Sequence, residues 1–567
     1  MMRIATKLWP VTLLVAGVAA QGPAVSENVY FGDLHLHTRY SNDAATFGTT
    51  RTPDDAYRYA KGEAVPHLGG IEIQLRTPLD FLAVTDHAEN IGRRQAGPNP
   101  PPNLGQAVWA DIVAAAVRHY APGEFTTFAA YEWTVGTREG NLHRNVIFAG
   151  TDDLPFPFSR LDSDNPEDLW DFLDTQRAAG VEALAIPHNS NVSNGKMFAL
   201  VDFAGAPMTA DYAAQRLRNE PVVEVTQAKG TSETHPVLSP NDEFADFELF
   251  PELLLANRPI GGDSANPGVV RVDGLVPGSY VREALVNGVR MQAERGFNPF
   301  QFGFVGATDF HSGTSAVEEN NMTSLSGDAV DGTLEERLVT NTWSRLPFVA
   351  RSAAGLTAAW ANENTRDELY AAFRRRETYA TTGTRITVRF FGGWDYADDV
   401  LDGDDWVARG YAGGVPMGGV LRGAEGEAPT FVIRAAKDPV AANLDRIQII
   451  KGWSAEGETF ERIYDVALSD GRQVGPTGKA PPVGNTVDVM RATYTNDIGA
   501  ASLEAVWRDP DFDPDADAVY YVRVIETPTP RWSTYDTAAA GLPPRGDVMP
   551  TLQERAYTSP IWYMPDN

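Results

Sequence analysis

The chain has no cysteine. That single absence excludes disulfides, thiolate zinc sites, cysteine nucleophiles and cysteine-held iron–sulfur clusters. It does not exclude export, because a chain of 567 residues buries enough core without covalent staples. Positive charge is scarce as well: 47 Lys and Arg face 76 Asp and Glu, leaving a net charge of −29. Such a surface repels phosphate backbones, so no nucleic acid is expected as a partner. Long apolar runs are missing beyond the first twenty or so residues, and the mature chain is expected to carry no membrane segment. There is no Walker loop, no G-x-S-x-G nucleophile elbow, no Rossmann fingerprint and no internal repeat. Nucleotide-driven and serine-hydrolase chemistries are thereby removed.

The one apolar run opens the sequence. MMRIATKLWPVTLLVAGVAAQ has Arg3 and Lys7, then an apolar stretch from Leu8 to Ala20, with Val18 and Ala20 placed for a cut before Gln21. Residues 1–20 read as a secretory signal peptide, which predicts a periplasmic or secreted protein. The alternative, an uncleaved anchor, needs a longer run of roughly 20 apolar residues.

Histidine is rare, and its placement is informative. Of nine in the chain, six fall in short motifs within the first 311 residues. In order, the motif residues are His35 and His37 in GDLHLHT, Asp43 in YSND, His87 in VTDHAE, Glu132 in AAYEWT, His143 in NLHRNV, His188 in AIPHNSN, and Asp309 and His311 in ATDFHSG. Imidazole and carboxylate hold zinc, manganese and iron. The spacing His-x-His puts both rings on one face of a strand, and Asp309-x-His311 repeats the device. Buried strands are predicted at Val29–Leu36, Phe81–Thr85, Phe125–Tyr131, Ala183–Ile186, Val222–Thr226 and Phe302–Ala307. Most motif residues then lie at or just past strand ends, where barrel enzymes carry their chemistry.

Taken in order, these motifs resemble the polymerase-and-histidinol-phosphatase (PHP) superfamily of metal-dependent phosphoesterases over roughly residues 29–390. The resemblance implies an α/β fold, a distorted (β/α)7 barrel. It further implies one ion held by His35, His37, Glu132 and Asp309, a second by Glu132, His143 and His188, and a third by Asp43, His87 and His311. Asp43 stands where many members carry histidine. The longer pattern of GDLHLHT, PTPRWSTYD and SPIWY looks more like a large PHP-related bacterial family of unknown function.

Domain organisation follows from the patterning. Residues 21–390 are expected to form the barrel, with an insertion at about 230–300 that is rich in turns (ETHPVLSPNDEF, GGDSANPG) before the helical REALVNGVRMQAERG. Helices are predicted at Pro53–Ala60 behind Thr52, at Gly105–His119, at Pro166–Ala179 behind Asn165, and in TRDELYAAFRRRE behind Thr365. Residues 391–567 alternate β-rich segments with Gly, Pro and Asp turns, which predicts an added antiparallel β-sandwich-like domain.

Two or three divalent ions (Mn, Zn or Fe) among three carboxylate ligands leave the pocket positive. A small anionic ester is therefore the expected substrate, and a phosphoesterase using a metal-bridging hydroxide the expected enzyme. Glu132 and Asp309 are its core. Arg144, Arg39 and Lys229 are candidates to clamp the anion, and His235 is a candidate general acid that can equally cap a turn. Asp86 and Asp33 are expected to support the neighbouring histidines, and Glu224 to have a structural partner without ligating. Hydrolysis of a carboxyl ester, lactone, amide or sulfate ester on the same cluster is the alternative, followed by a noncatalytic, metal-stabilised surface-binding protein.

Overall fold

The computed structural model describes residues 26–566 apart from 98, 138–139, 251, 254–257, 260–275, 339–350, 424–426 and 477. The expected signal peptide and the GGDSANPG turn lie outside the described residues.

Helix starts follow local chemistry. In α1 (Pro53–Ala60), the Thr52 hydroxyl accepts from the Asp55 amide while the Asp55 carboxylate accepts from the Thr52 amide, and Pro53 fills the first turn. Asn165 caps α3 (Pro166–Ala178) by accepting from the Glu167 amide, and Thr365 caps α5 (Arg366–Arg375) by accepting from the Glu368 amide. Between them in sequence come α2 (Leu104–His119) and α4 (Val281–Arg295), the latter stopped by Gly296 at φ 76°.

Strands β1 (Asn28–Leu36), β2 (Phe81–Val84) and β3 (Thr126–Phe128) run parallel. The segment predicted as one strand over Phe125–Tyr131 is two. It breaks at Ala129, because β3 pairs with β2 whereas β4 (Ala130–Trp133) turns away to pair with β5 (Arg144–Phe148). Beyond β5 lies β6 (Ala183–Pro187), antiparallel to it. A second parallel pair joins β7 (Val222–Gln227) to β8 (Gly303–Gly306). Strands β9 (Leu356–Ala361) and β10 (Thr378–Thr381) continue outward from β1, antiparallel. Strands β2, β6, β7 and β8 are buried along their whole length, which is why they read as near-continuous apolar runs. Just past the strand ends, parallel bridges link Leu36 to Phe310 and His87 to Glu132, drawing the motif residues together. Among the described residues, no hydrogen-bonded ladder closes into a complete barrel.

The C-terminal region contains β11 (Thr387–Gly393), β12 (Thr430–Ala436), β13 (Leu444–Ala455), β14 (Glu458–Leu468), β15 (Ser502–Arg508), β16 (Ala518–Glu526), β17 (Arg555–Thr558) and β18 (Ile561–Met564). Two layers face each other here: Phe431 of β12 meets Tyr520 of β16 at 4.5 Å between ring centroids, and Tyr464 of β14 meets Trp507 of β15 at 4.9 Å. One layer contains β11, β12 and β15. The other is continuous with the N-terminal strands, since β17 pairs with both β10 and β16 and completes an eleven-stranded sheet. The sandwich expected after residue 390 therefore shares a sheet with what precedes it. Its pairing satisfies the backbone groups that β10 would otherwise expose at an edge. No helix among the described residues is long and apolar enough to cross a membrane.

Candidate metal centre

Alternation along β1 brings the first two histidines together. His35 and His37 present their Nε2 atoms 3.2 Å apart. From the end of β4, Glu132 Oε2 lies 3.3 Å from His35 Nε2 and 3.1 Å from His37 Nε2. Asp309 Oδ1 lies 3.3 Å from each. An ion with bonds of about 2.0–2.1 Å to four tetrahedral ligands spaces those ligands by about 3.3 Å. All four groups are buried. These residues fit a divalent ion.

Glu132 serves a second group through its other oxygen. Oε1 is 2.9 Å from His143 Nδ1 and 3.5 Å from His188 Nε2. His188 is fully buried with neither ring nitrogen in a hydrogen bond, and His143 Nε2 is equally orphaned. Each buried unsatisfied group costs about 1–3 kcal/mol, which ligation would offset. A third group gathers around Asp43, whose Oδ2 is 3.1 Å from His87 Nε2 and 3.0 Å from His311 Nε2; the His311 ring stacks on His37 at 4.0 Å. All nine sequence-predicted ligands thus converge.

Neighbours hold the rings in place. Glu224 Oε2 sits 2.9 Å from His35 Nδ1, which turns Nε2 toward the centre. Ser41 Oγ contacts His37 Nδ1 at 2.8 Å and donates to Asp86, which also accepts from Thr38. Asp33 accepts from the His35 and Thr308 amides and so ties β1 to the Asp309 segment. Asp309 itself has φ 53°, a left-handed conformation that Asp and Asn tolerate better than most residues. Gln227 donates to Asp309 Oδ2 at 2.7 Å, and Thr134 Oγ1 meets His87 Nδ1 at 2.5 Å.

Burial opposes charge throughout, and the neighbours decide which groups keep it. Glu132 stays well below the usual carboxylate range despite burial, because His87 and His188 face it. Asp309 does so through Lys229 and His35. Burial pushes His35 and His188 down, toward the neutral imidazole that ligates metal. For His37, burial and His87 act downward but Asp309 and Glu132 prevail, raising it to about 8. Burial, then the Asp309 charge, drives Glu224 well above the carboxylate range.

The expected substrate contacts divide. Lys229 reaches Asp309 Oδ2 directly. Arg39 is half-buried, its Nε unpartnered, and it makes no hydrogen bond or ion pair with the nine ligands among the described residues. Arg144 does not face the centre. Its guanidinium is buried against Glu220, 2.9 Å away, and the Leu142 carbonyl at 2.7 Å; the alternation of β5 sends it to the opposite side from the cluster. His235 is likewise outside the site: its Nδ1 accepts from the Val237 amide and its carbonyl from Leu238 and Ser239, so it caps a turn. Glu224, Gln227, Ser41 and Thr134 carry positioning roles that spacing did not assign. A carboxylate within the apolar run VVEVTQ was the legible signal for Glu224.

No match is found among curated proteins. The family described as "Protein of unknown function (DUF3604)" matches residues 24–105 and 95–565, nearly the whole described chain with its donor cluster, and this protein belongs to that family.

Proposed function

We propose that this protein is an exported, divalent-metal-dependent hydrolase of the PHP type, with a distorted (β/α)7 core, acting on a small phosphate ester. The observation that carries this reading is the spacing of 3.1–3.3 Å from the His35 and His37 Nε2 atoms to each other and to Glu132 and Asp309. Ions bound by these groups and by the sets around His143 and Asp43 would supply Lewis acidity and lower the pKa of a coordinated water. Glu132 keeps two ligand sets in register through its two oxygens. Glu224 and Ser41 fix the His35 and His37 rings, which limits reorganisation during a reaction. Lys229 places a cation beside Asp309, where an anionic group would arrive.

A second reading keeps the centre and changes the bond to a carboxyl ester, lactone, amide or sulfate ester. It is favoured by Arg144, which pairs with Glu220 and so offers no fork to a phosphate. The test follows release from chromogenic phosphate mono-, di- and triesters beside carboxyl and sulfate esters, with Mn, Fe or Zn, a chelated control and Glu132→Gln. Metal- and Glu132-dependent phosphate release supports the first reading. Turnover confined to carboxyl or sulfate esters selects the second, and no turnover by the metal-loaded protein rejects both.

A further inference from the structure

A cavity of about 470 Å³ is lined by none of the nine metal-site residues. It lies where residues 317–320, 383–385 and 438–441 meet the end of β16 and the approach to β17. Its volume suits a small-molecule ligand. Glu526, the last residue of β16, lines it and is 0% exposed. The Thr384 hydroxyl and the Ala442 amide face this carboxylate, yet neither of its oxygens completes a hydrogen bond, and the Thr384 hydroxyl is itself unpartnered. Buried polar groups without partners are rare, because each forgoes the hydrogen bonds it had in water. Both residues line the cavity. Glu554, also buried, and Glu319 line the same cavity.

We propose that this cavity binds a small organic cation, an alkyl chain carrying a primary amine, with Glu526 as its ion-pair partner. Three observations select this class. Among the described residues, the sets of three or more ligand groups within 4.8 Å of one another all belong to the histidine centre, so no three of these carboxylates gather as a metal-ligand set. An anion is disfavoured because five carboxyl-bearing residues, Glu318, Glu319, Asp438, Glu526 and Glu554, line the cavity against the guanidiniums of Arg76 and Arg385. Tyr494 and Tyr535 supply aromatic faces suited to an alkylammonium, beside the apolar Val317 and Pro530. Burial raises both Glu526 and Glu554 to about 8, so an entering cation displaces protons and leaves carboxylates that its own charge stabilises.

Calorimetric titration of the full, metal-loaded chain with agmatine and 1,5-diaminopentane tests this, with 1,5-pentanediol as the neutral arm and calcium chloride as the metal arm. The expected result is saturable one-to-one binding of at least one amine, with no response to the diol or calcium. Affinity should fall at least about tenfold in Glu526→Gln. Val440→Arg changes an exposed residue at the rim and should weaken the amine similarly without endangering folding. Absence of amine binding at millimolar concentration would overturn the proposal. So would equal affinity for the diol, calcium binding in place of the amine, or an amine affinity that Val440→Arg leaves unchanged.

Discussion

Arg282, Arg523, Glu233 and Asp242 are as deeply buried as the histidine centre, yet in that cluster each charge meets its opposite. Arg282 bridges Glu233 and Asp242 at 2.5 and 2.8 Å, Arg523 reaches Asp242 at 2.8 Å and Glu233 at 3.2 Å, and Tyr521 donates to Glu233 at 2.6 Å. These bonds fasten the described part of the 230–300 insertion, including α4, to β16. The histidine centre follows a different rule. Its nitrogens and carboxylate oxygens point at one another, several without partners, and like faces like. Full pairing marks a cluster that holds the fold; orphaned, convergent ligand groups are the arrangement that a bound ion would satisfy.

The comparison can be broken at either end. His35 belongs to the candidate ligand set with His37 and Asp309, so His35→Ala should remove metal and abolish hydrolysis while leaving far-ultraviolet circular dichroism unchanged; metal analysis beside the ester assay checks this. In the paired cluster the cost is to stability. Arg523→Met leaves Glu233 and Asp242 undercompensated and should destabilise the protein by about 3–5 kcal/mol in denaturant titration, with metal content per folded molecule intact. Glu224→Gln keeps the shape but alters the partner that orients His35, and metal affinity should fall about 10–100-fold in a competition with a chelating dye. The smallest effect is at a helix start remote from both clusters. Thr52→Ala removes one half of the capping box on α1 and should cost about 1 kcal/mol, again by denaturant titration, with no change in metal affinity.

Local features were legible in the sequence because their causes are local. Thr52, Asn165 and Thr365 announce their helices through side chains that reach only two or three residues onward. The period of two in HLH brings His35 and His37 together at the end of β1, whereas Asp309 and His311 lie past the end of β8, with Asp309 in a left-handed conformation. What escaped depends on distant pairing. Arg144 adjoins His143 in sequence, but its partner Glu220 lies 76 residues away and on the other side of the sheet. The split of the predicted Phe125–Tyr131 strand is imposed by β2 on one side and β5 on the other. The joining of β10 to β17 spans more than 170 residues and leaves no periodic trace in either segment. His235 shows the limit of residue type as a signal, since its ring serves a turn and its chemistry is unused by the centre.

If Glu132 spans two metal sites through its two oxygens, its loss should empty both. Counting ions per chain after equilibrium dialysis against manganese or zinc tests it most directly, in the native protein and in Glu132→Gln. The expected result is two or three ions in the native chain and a loss of at least two in the variant. A native chain that binds none, or a variant that keeps its full complement, would contradict it.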